Sequence, residues 1–307
     1  MKRRVKTCLV LATLAALSCG CGSGTGITNT TRYGPNARPV VKDATREELL
    51  DQYNQTARNL KTVNATVELK PTAGSKYSGV IDEYHEVKAF LLAAREAEIR
   101  VIGQAPVVGT TVFDMASDGE TFSVSIPSKH KFLVGPVAVE RASSKPIENL
   151  RPQHLVDALL WPEVRKEEAV LFEEFNDENG RFYVLTVLRG GYQTEILRKI
   201  WFDRADLQVV RLQTFGPKGI LLSDTRLSDW QPLAPVAGQS ASAASSNAVN
   251  SFARAIQINR PHDDYTLNLQ VAKIAVNEEI PSERFKLEQP AGSELVHVGD
   301  SAEKKQP

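Results

Sequence analysis

Residues 45–70, TREELLDQYNQTARNLKTVNATVELK, contain the change of hydrophobic period that decides the fold class. Thr45 and Glu48 have capping-box spacing, which predicts an α-helix over residues 47–60. Its apolar stripe is Leu49, Leu50, Tyr53, Ala57 and Leu60. From Thr62 to Lys70 apolar residues instead alternate with polar ones, which predicts a β-strand with one buried and one solvated face.

The two-residue alternation recurs along most of the remaining chain. Strands are predicted near residues 76–82, 85–94, 97–103, 109–117, 120–127, 130–135, 168–176, 181–189, 195–203, 207–215, 219–230, 252–260 and 264–276. Asp118-Gly119 favours a hairpin with a type I′ turn, because that turn needs positive φ. A second helix is predicted at residues 152–160, with Pro152 at its first position.

This order of elements predicts a mainly β fold. A long antiparallel meander must either close into a barrel or cover its open face. A barrel of so many strands is wide enough to leave a cavity instead of a solid core. We therefore expect an incomplete antiparallel β-barrel that encloses a hydrophobic cavity, plugged by the two short helices.

The first 18 residues have the composition of a signal peptide. Basic residues precede an apolar stretch from Cys8 to Leu17, which is too short to span a bilayer. Small residues then lead into Cys19 and Cys21, an order that resembles the lipidation signal of bacterial lipoproteins. Cys19 is favoured because an apolar pair lies just upstream, and Cys21 is the alternative. An ordinary secretory signal is the competing interpretation.

Composition divides the remaining chain into three parts. Residues 19–43 are predicted to be a flexible tether, 44–290 the folded domain, and 291–307 a disordered tail. Within the domain, residues 232–250 are a low-complexity, Ala- and Ser-rich insertion. The chain has 37 basic and 37 acidic residues, and four basic residues lie in the signal, so the mature chain is mildly acidic. That charge argues against a nucleic-acid partner.

The order of elements and several local sequences resemble the LolA/LolB-like family of outer-membrane lipoprotein-sorting proteins. The resembling segments are residues 47–67, 116–122, 126–132, 200–204 and 280–285, within a likeness that spans roughly residues 45–290. The resemblance implies a half-barrel with a helical lid over a cavity for acyl chains. The cysteine signal resembles the membrane-anchored member of the family, and the glycine after either cysteine resembles an outer-membrane address. The chain departs from the family in its longer body and in the insertion at 232–250.

The candidate cavity-lining residues are apolar positions on the predicted strands. They are Val67, Leu69, Ile99, Val101, Phe113, Met115, Phe122, Val124 and Trp201. Each of them could instead pack in a solid core. The expected partners are acyl chains of lipids or lipoproteins, the membrane that holds the lipid anchor, and a periplasmic carrier protein.

No catalytic residue, metal site or cofactor is predicted. The five histidines lack metal-ligand spacing, and the one local cluster, His262-Asp263-Asp264, falls in a predicted turn. The body also lacks a phosphate-binding loop, a nucleophile-elbow motif and any cysteine. Two alternatives to a lipid-binding protein remain. One is a scaffolding outer-membrane lipoprotein that binds a protein partner at exposed sheet edges, and the other is a periplasmic chaperone for extended polypeptides.

Overall fold

A computed structural model describes residues 41–75, 79–138, 149–177, 180–191, 194–233 and 249–298. Within these residues α1 spans Arg46–Asn59 and α2 spans Pro152–Leu159. The strands are β1 Thr62–Ser75, β2 Val80–Glu83, β3 Val87–Ala94, β4 Glu98–Gln104, β5 Thr111–Ser117, β6 Thr121–Ile126, β7 Lys131–Pro136, β8 Glu168–Asn176, β9 Arg181–Arg189, β10 Glu195–Asp203, β11 Val209–Phe215, β12 Leu221–Pro232, β13 Ser251–Arg260, β14 Tyr265–Val276 and β15 Glu294–His297. The signal peptide with Cys19 and Cys21, most of the tether, and residues 234–248 of the insertion lie outside the described residues.

The 15 strands form one sheet in the order β15-β7-β6-β5-β4-β3-β1-β14-β13-β12-β11-β10-β9-β8, with β2 paired to the end of β1. β1 is central, because it pairs with β3 on one side and with β14 on the other. The pairs are antiparallel except for β15 on β7. Within the described residues β8 and β15 are the two ends of this order and do not pair with each other, and β2 is paired on one side only, so the sheet is open. The predicted mainly β fold, an incomplete antiparallel barrel with two short helices, is confirmed in this large, unclosed sheet.

The start of α1 is fixed by the capping box that the sequence predicts. The Thr45 hydroxyl accepts a hydrogen bond from the Glu48 N–H at 3.2 Å, and the Glu48 carboxylate accepts one from the Thr45 N–H at 2.8 Å. The predicted apolar stripe is buried at Leu49, Tyr53 and Ala57, and only Leu50 is partly exposed. A helix this short is marginal alone, so its stability comes from packing this stripe on the sheet.

The main core lies between the two helices and one face of the sheet, which we call the helix-covered face. We call α1 and α2 together the helical cover. Fully buried side chains of this core include Leu49, Leu91, Ile99, Leu155, Leu185, Ile200, Phe202 and Ile258. They come from both helices and from strands on both sides of β1, so the core runs across the sheet.

The C-terminal segment lies on the opposite face of the sheet. Phe285 is buried there, and the guanidinium of Arg100 on β4 donates hydrogen bonds to the backbone carbonyls of Arg284 and Lys286. The chain then adds β15 to the edge of β7, in parallel. The predicted disordered tail is therefore wrong at Glu294–His297, because the unpaired edge of β7 supplies hydrogen bonds that a short polar segment lacks on its own.

The hairpin between β5 and β6 is confirmed, but its turn is not type I′. Gly119 has φ 93°, whereas the flanking Asp118 and Glu120 are outside the positive-φ region, and a type I′ turn needs two such residues. The Asp118 carboxylate shapes the turn instead, because it accepts hydrogen bonds from the N–H groups of Glu120 and Thr121 at 3.0 and 2.8 Å. The predicted insertion also begins later, since β12 continues to Pro232 and the Leu233 N–H donates to the Asn250 carbonyl.

Two phenylalanines test whether the C-terminal segment is part of the folded sheet. Phe285 is 3% exposed, whereas Phe172 on the edge strand β8 is 40% exposed. We expect Phe285→Ala to lower the free energy of unfolding by about 3 kcal/mol, and Phe172→Ala by less than about 1 kcal/mol. Urea unfolding measures both. Equal losses would mean that the segment around Phe285 does not pack on the sheet.

Candidate functional site

Eight of the nine predicted lining residues lie on the helix-covered face. Pairing shows this directly, because residues opposite each other in an antiparallel pair share a face, and Val101 pairs with Met115, which pairs with Val124. The eight are Val67, Leu69, Ile99, Val101, Phe113, Met115, Phe122 and Val124. Phe113 and Val124 are partly buried, and the other six are at most 2% exposed. None of the eight lines either of the two spaces described below, so with the helices in place they are core.

Trp201 is the exception, and its prediction as a lining residue is wrong. Its neighbours Ile200 and Phe202 are completely buried on the helix-covered face, so Trp201 lies on the opposite face. There its indole N–H donates to the Gln213 side-chain carbonyl at 3.0 Å, and the Arg211 guanidinium lies 5.3 Å from its ring centroid. The sequence has three apolar residues in succession here, and alternation alone does not say which of them points inward.

A cleft of about 250 Å³ opens between α1 and strands β11 to β13. Its apolar walls are Tyr53, Trp161, Val209, Trp230 and Val249, and its polar lining is Gln52, Gln55, Thr56, Asn59, Gln208, Asn250 and Ser251. A second, apolar space of about 10 Å³ shares Trp161, Trp230 and Val249 with the cleft and is also lined by Leu60, Leu159 and Phe252. The cleft therefore reaches from the exposed edge of α1 toward the core beneath it.

An irregularity in β12 creates one wall of the cleft. Asp229 has φ 53°, and Leu227 and Trp230 on either side of it both contact the core, although residues three apart in a regular strand lie on opposite faces. The Trp230 indole N–H donates to the Val209 carbonyl at 3.1 Å, which fixes the ring over the cleft. Sequence reasoning missed this wall, and the only signal was the break in alternation at Asp229-Trp230.

The cleft is too small for a long apolar ligand while the helices stay in place. Pockets that hold drug-sized ligands have volumes of about 300–1,000 Å³, and the cleft has about 250 Å³. A longer ligand therefore requires the helical cover to move. The contacts that fasten the cover to the sheet set the free-energy cost of such a movement.

Arg95 fastens both helices at their C-terminal ends. It lies in the turn between β3 and β4, and its Nε donates to the Leu60 carbonyl at 2.9 Å. Its Nη1 donates to the carbonyls of Leu160 and Trp161, both at 3.0 Å, and its Nη2 donates to the Ala57 carbonyl. Carbonyls at helix C-termini lack partners within the helix, and a cation there is favourable. One side chain thus joins both helices to the sheet.

Polar side chains of α1 make further hydrogen bonds that hold the cover. The Tyr53 hydroxyl donates to the Pro162 carbonyl at 2.9 Å, and burial raises the pKa of Tyr53, so the hydroxyl keeps its proton. The Asn54 side chain bonds both the N–H and the carbonyl of Val164, and Gln52 donates to the Leu207 carbonyl at 2.8 Å. Each bond can be exchanged for a bond to water at modest net cost when the helix moves.

The lining of the cleft is uncharged. The described residues around it include amides, hydroxyls and aromatic rings, but no Lys, Arg, Asp or Glu. In the described part of the chain, no group of three or more His, Cys, Asp or Glu residues could hold a metal ion. The cluster His262-Asp263-Asp264 is the turn that the sequence predicts, and the Asp263 carboxylate pairs with Arg260 at 2.7 Å. No described helix is both long and apolar enough to span a membrane.

Solved structures with a similar fold include a LolA superfamily protein from Nitrosomonas europaea, which is 11% identical with a TM-score of 0.45 over 80% of this chain and 99% of that one. Another is a domain from Vibrio parahaemolyticus described as an outer membrane lipoprotein-sorting protein, 11% identical with a TM-score of 0.44 over 78% and 97% of the two chains. A DUF1329 family protein from Desulfovibrio piger is 10% identical with a TM-score of 0.46 over 77% and 96%. The first two are described by the family that the sequence resembles, as predicted. No family model and no curated protein matches the sequence.

Substitution of Arg95 tests whether one guanidinium fastens the cover. Arg95→Met keeps an unbranched, flexible side chain but leaves helix-end carbonyls without their donor, so we expect a loss of about 2–4 kcal/mol in the free energy of unfolding. Amide hydrogen exchange in α1 and α2 should become faster than in the strands. Arg58→Met is the matched control, because Arg58 on α1 only pairs with Glu163 at the surface, and its loss should stay below about 1 kcal/mol. Similar effects of the two variants would contradict this role of Arg95.

Proposed function

We propose that this protein is a non-enzymatic, lipid-anchored protein of the bacterial envelope that binds acyl chains of lipoproteins or lipids beneath its helical cover. In this role it takes part in sorting lipoproteins to the outer membrane. The observation that carries the proposal is the uncharged cleft between α1 and the sheet. There the polar rim of the cleft shares Trp161, Trp230 and Val249 with the apolar space beneath α1.

The energetics of acyl chains suit a binding site of this kind. Exposing an acyl chain to water costs about 0.8 kcal/mol per CH₂ group, so a dry apolar face holds the chain without a catalyst. Leu49, Tyr53 and Ala57 of α1 now cover that face. When the cover moves, a chain replaces the contacts that both helices make with the sheet, and the eight predicted residues, six of them buried and two partly buried, become part of its lining. The predicted lining is thus core without ligand and binding surface with ligand.

The location of the protein follows from its N-terminal signal. A lipid on Cys19, or on Cys21 as the alternative, would hold the body at the membrane through the tether of residues 19–43. We place the protein at the outer membrane, facing the periplasm, where a periplasmic carrier protein would deliver the cargo. The glycine that follows either cysteine supports this address.

Filling the cleft tests the proposal. Val249 lines both the cleft and the space beneath it, so Val249→Trp should block entry and lower the affinity for the hydrophobic probe diphenylhexatriene by about tenfold or more, which is about 1.4 kcal/mol. Gln257→Trp is the control, because Gln257 lies on the opposite face of the nearby strand β13. Probe fluorescence gives the affinity, and circular dichroism confirms that both variants fold.

The control gives this test a clear negative outcome. If the wild-type body binds no probe, acyl-chain binding is excluded. If Val249→Trp and Gln257→Trp reduce binding equally, the probe binds outside the cleft. Either result would leave the helix-covered face as a permanent core.

A second candidate function is a scaffold that binds a protein partner, and the edge strand β8 favours it. Leu171 and Phe175 on this strand are 57% and 42% exposed, and one side of β8 has no neighbour among the described strands. Such edges can pair with an extended segment of another protein. Under the acyl-binding proposal, the double change Leu171→Lys and Phe175→Lys leaves probe affinity unchanged within about twofold. Loss of the cellular function with intact probe binding would favour the scaffold.

A further inference from the structure

One residue that lines the cleft carries a buried polar atom with no hydrogen-bond partner among the described residues. Trp161 is 6% exposed, and within the described residues its indole N–H has no hydrogen-bond acceptor. A buried donor without an acceptor destabilises a protein, and native structures contain few of them. Packing explains why the Trp161 ring is buried, but it does not explain why its N–H lacks an acceptor.

The other two tryptophans differ from Trp161 in this respect. The Trp201 N–H donates to Gln213 at 3.0 Å, and the Trp230 N–H donates to the Val209 carbonyl at 3.1 Å. Trp230 lines the same cleft as Trp161. Of the two tryptophans that line the cleft, Trp230 thus has a hydrogen-bond acceptor and Trp161 has none among the described residues.

The Trp161 ring is also fixed in place. It stacks on the Tyr53 ring with centroids 5.7 Å apart and planes at 15° to each other. Its own backbone carbonyl accepts a hydrogen bond from Arg95, and the Tyr53 hydroxyl donates to the adjacent Pro162 carbonyl. With ring and backbone held, the indole is pre-organised as a donor at the boundary between the cleft and the space beneath it.

The chemistry of the walls selects the acceptor. No cationic side chain is among the described lining residues, so a carboxylate would lose its hydration without gaining a counter-charge. An ester or amide carbonyl carries no net charge and accepts a hydrogen bond from an indole N–H. The adjoining space of about 10 Å³ has an apolar lining, and it can take the hydrocarbon chain that such a carbonyl carries only once the cover has moved.

We infer that Trp161 is a specificity residue whose indole N–H donates to the ester or amide carbonyl of an acylated ligand as its chain enters beneath the cover. This inference rests on the proposed function, because it names the chemical group that the acyl-binding site recognises. A hydrogen bond from Trp161 would let the site distinguish acylated molecules from free fatty acids and from plain hydrocarbons.

The test compares Trp161→Phe with wild type on three fluorescent probes: diphenylhexatriene, cis-parinaric acid and the methyl ester of that acid. We expect Trp161→Phe to weaken binding of the ester about five- to tenfold, the effect of one hydrogen bond. Binding of the hydrocarbon should change by less than about twofold, because it has no acceptor. Wild type should also bind the ester more tightly than the acid.

Thermal stability without ligand supplies the second readout. Trp161→Phe removes an unpaired donor, so its Tm should equal or exceed that of wild type. Trp230→Phe is the matched comparison, because it removes a donor that has a partner, and its Tm should fall. A fall in Tm for Trp161→Phe as large as that for Trp230→Phe, or an equal loss of ester and hydrocarbon binding, would overturn the inference. If wild type binds none of the three probes, the proposed function itself is overturned.

Discussion

Both helices are joined to the sheet through the hydrogen bonds of one guanidinium, that of Arg95. Its backbone N–H donates to the Lys61 carbonyl at 2.9 Å, which places the side chain at the start of β1, and the side chain then reaches the ends of both helices. These ends would otherwise leave backbone carbonyls without partners. Further polar bonds come from the middle of α1 and from His154 near the start of α2, and apolar contacts complete the attachment of the cover to the sheet.

This arrangement connects stability with the proposed binding. The apolar contacts between α1 and the sheet are non-directional, and an acyl chain of similar area can replace them at little net cost. The polar bonds around Arg95 are directional, and they set the geometry to which the cover returns. Trp161 takes part in both the polar fastening and the cleft. Its backbone carbonyl accepts a hydrogen bond from Arg95, and its side chain lines the cleft. Movement of the cover would therefore reposition the donor that we assign to ligand recognition.

The sequence predicts those features that depend on neighbours along the chain. Strands 168–176 and 181–189 are found at the predicted residues, and α1 begins one residue early, because periodicity and capping are local. Features set by distant partners are missed. β15 forms only because the edge of β7 is available, and Arg95 resembles an ordinary charged turn residue until segments as far as 66 positions away supply its acceptors.

The candidate site shows the same limit. Alternation places eight of the nine candidate lining residues on the helix-covered face and fails at Trp201, where three apolar residues in a row remove the signal. The cleft itself depends on the positive φ of Asp229, whose only local signal is the break in alternation at Asp229-Trp230, and on the approach of α1 to β11–β13, which has no local signature. Sequence could therefore identify the apolar face but not its point of entry.

The most direct measurement is native mass spectrometry of the chain from Val41 onward, secreted to a bacterial periplasm and purified without detergent. This part of the chain is one compact unit. The account predicts a co-purifying acylated molecule, one per chain, that is displaced by an added ester-containing lipid. A chain that is empty and takes up no added lipid would contradict it.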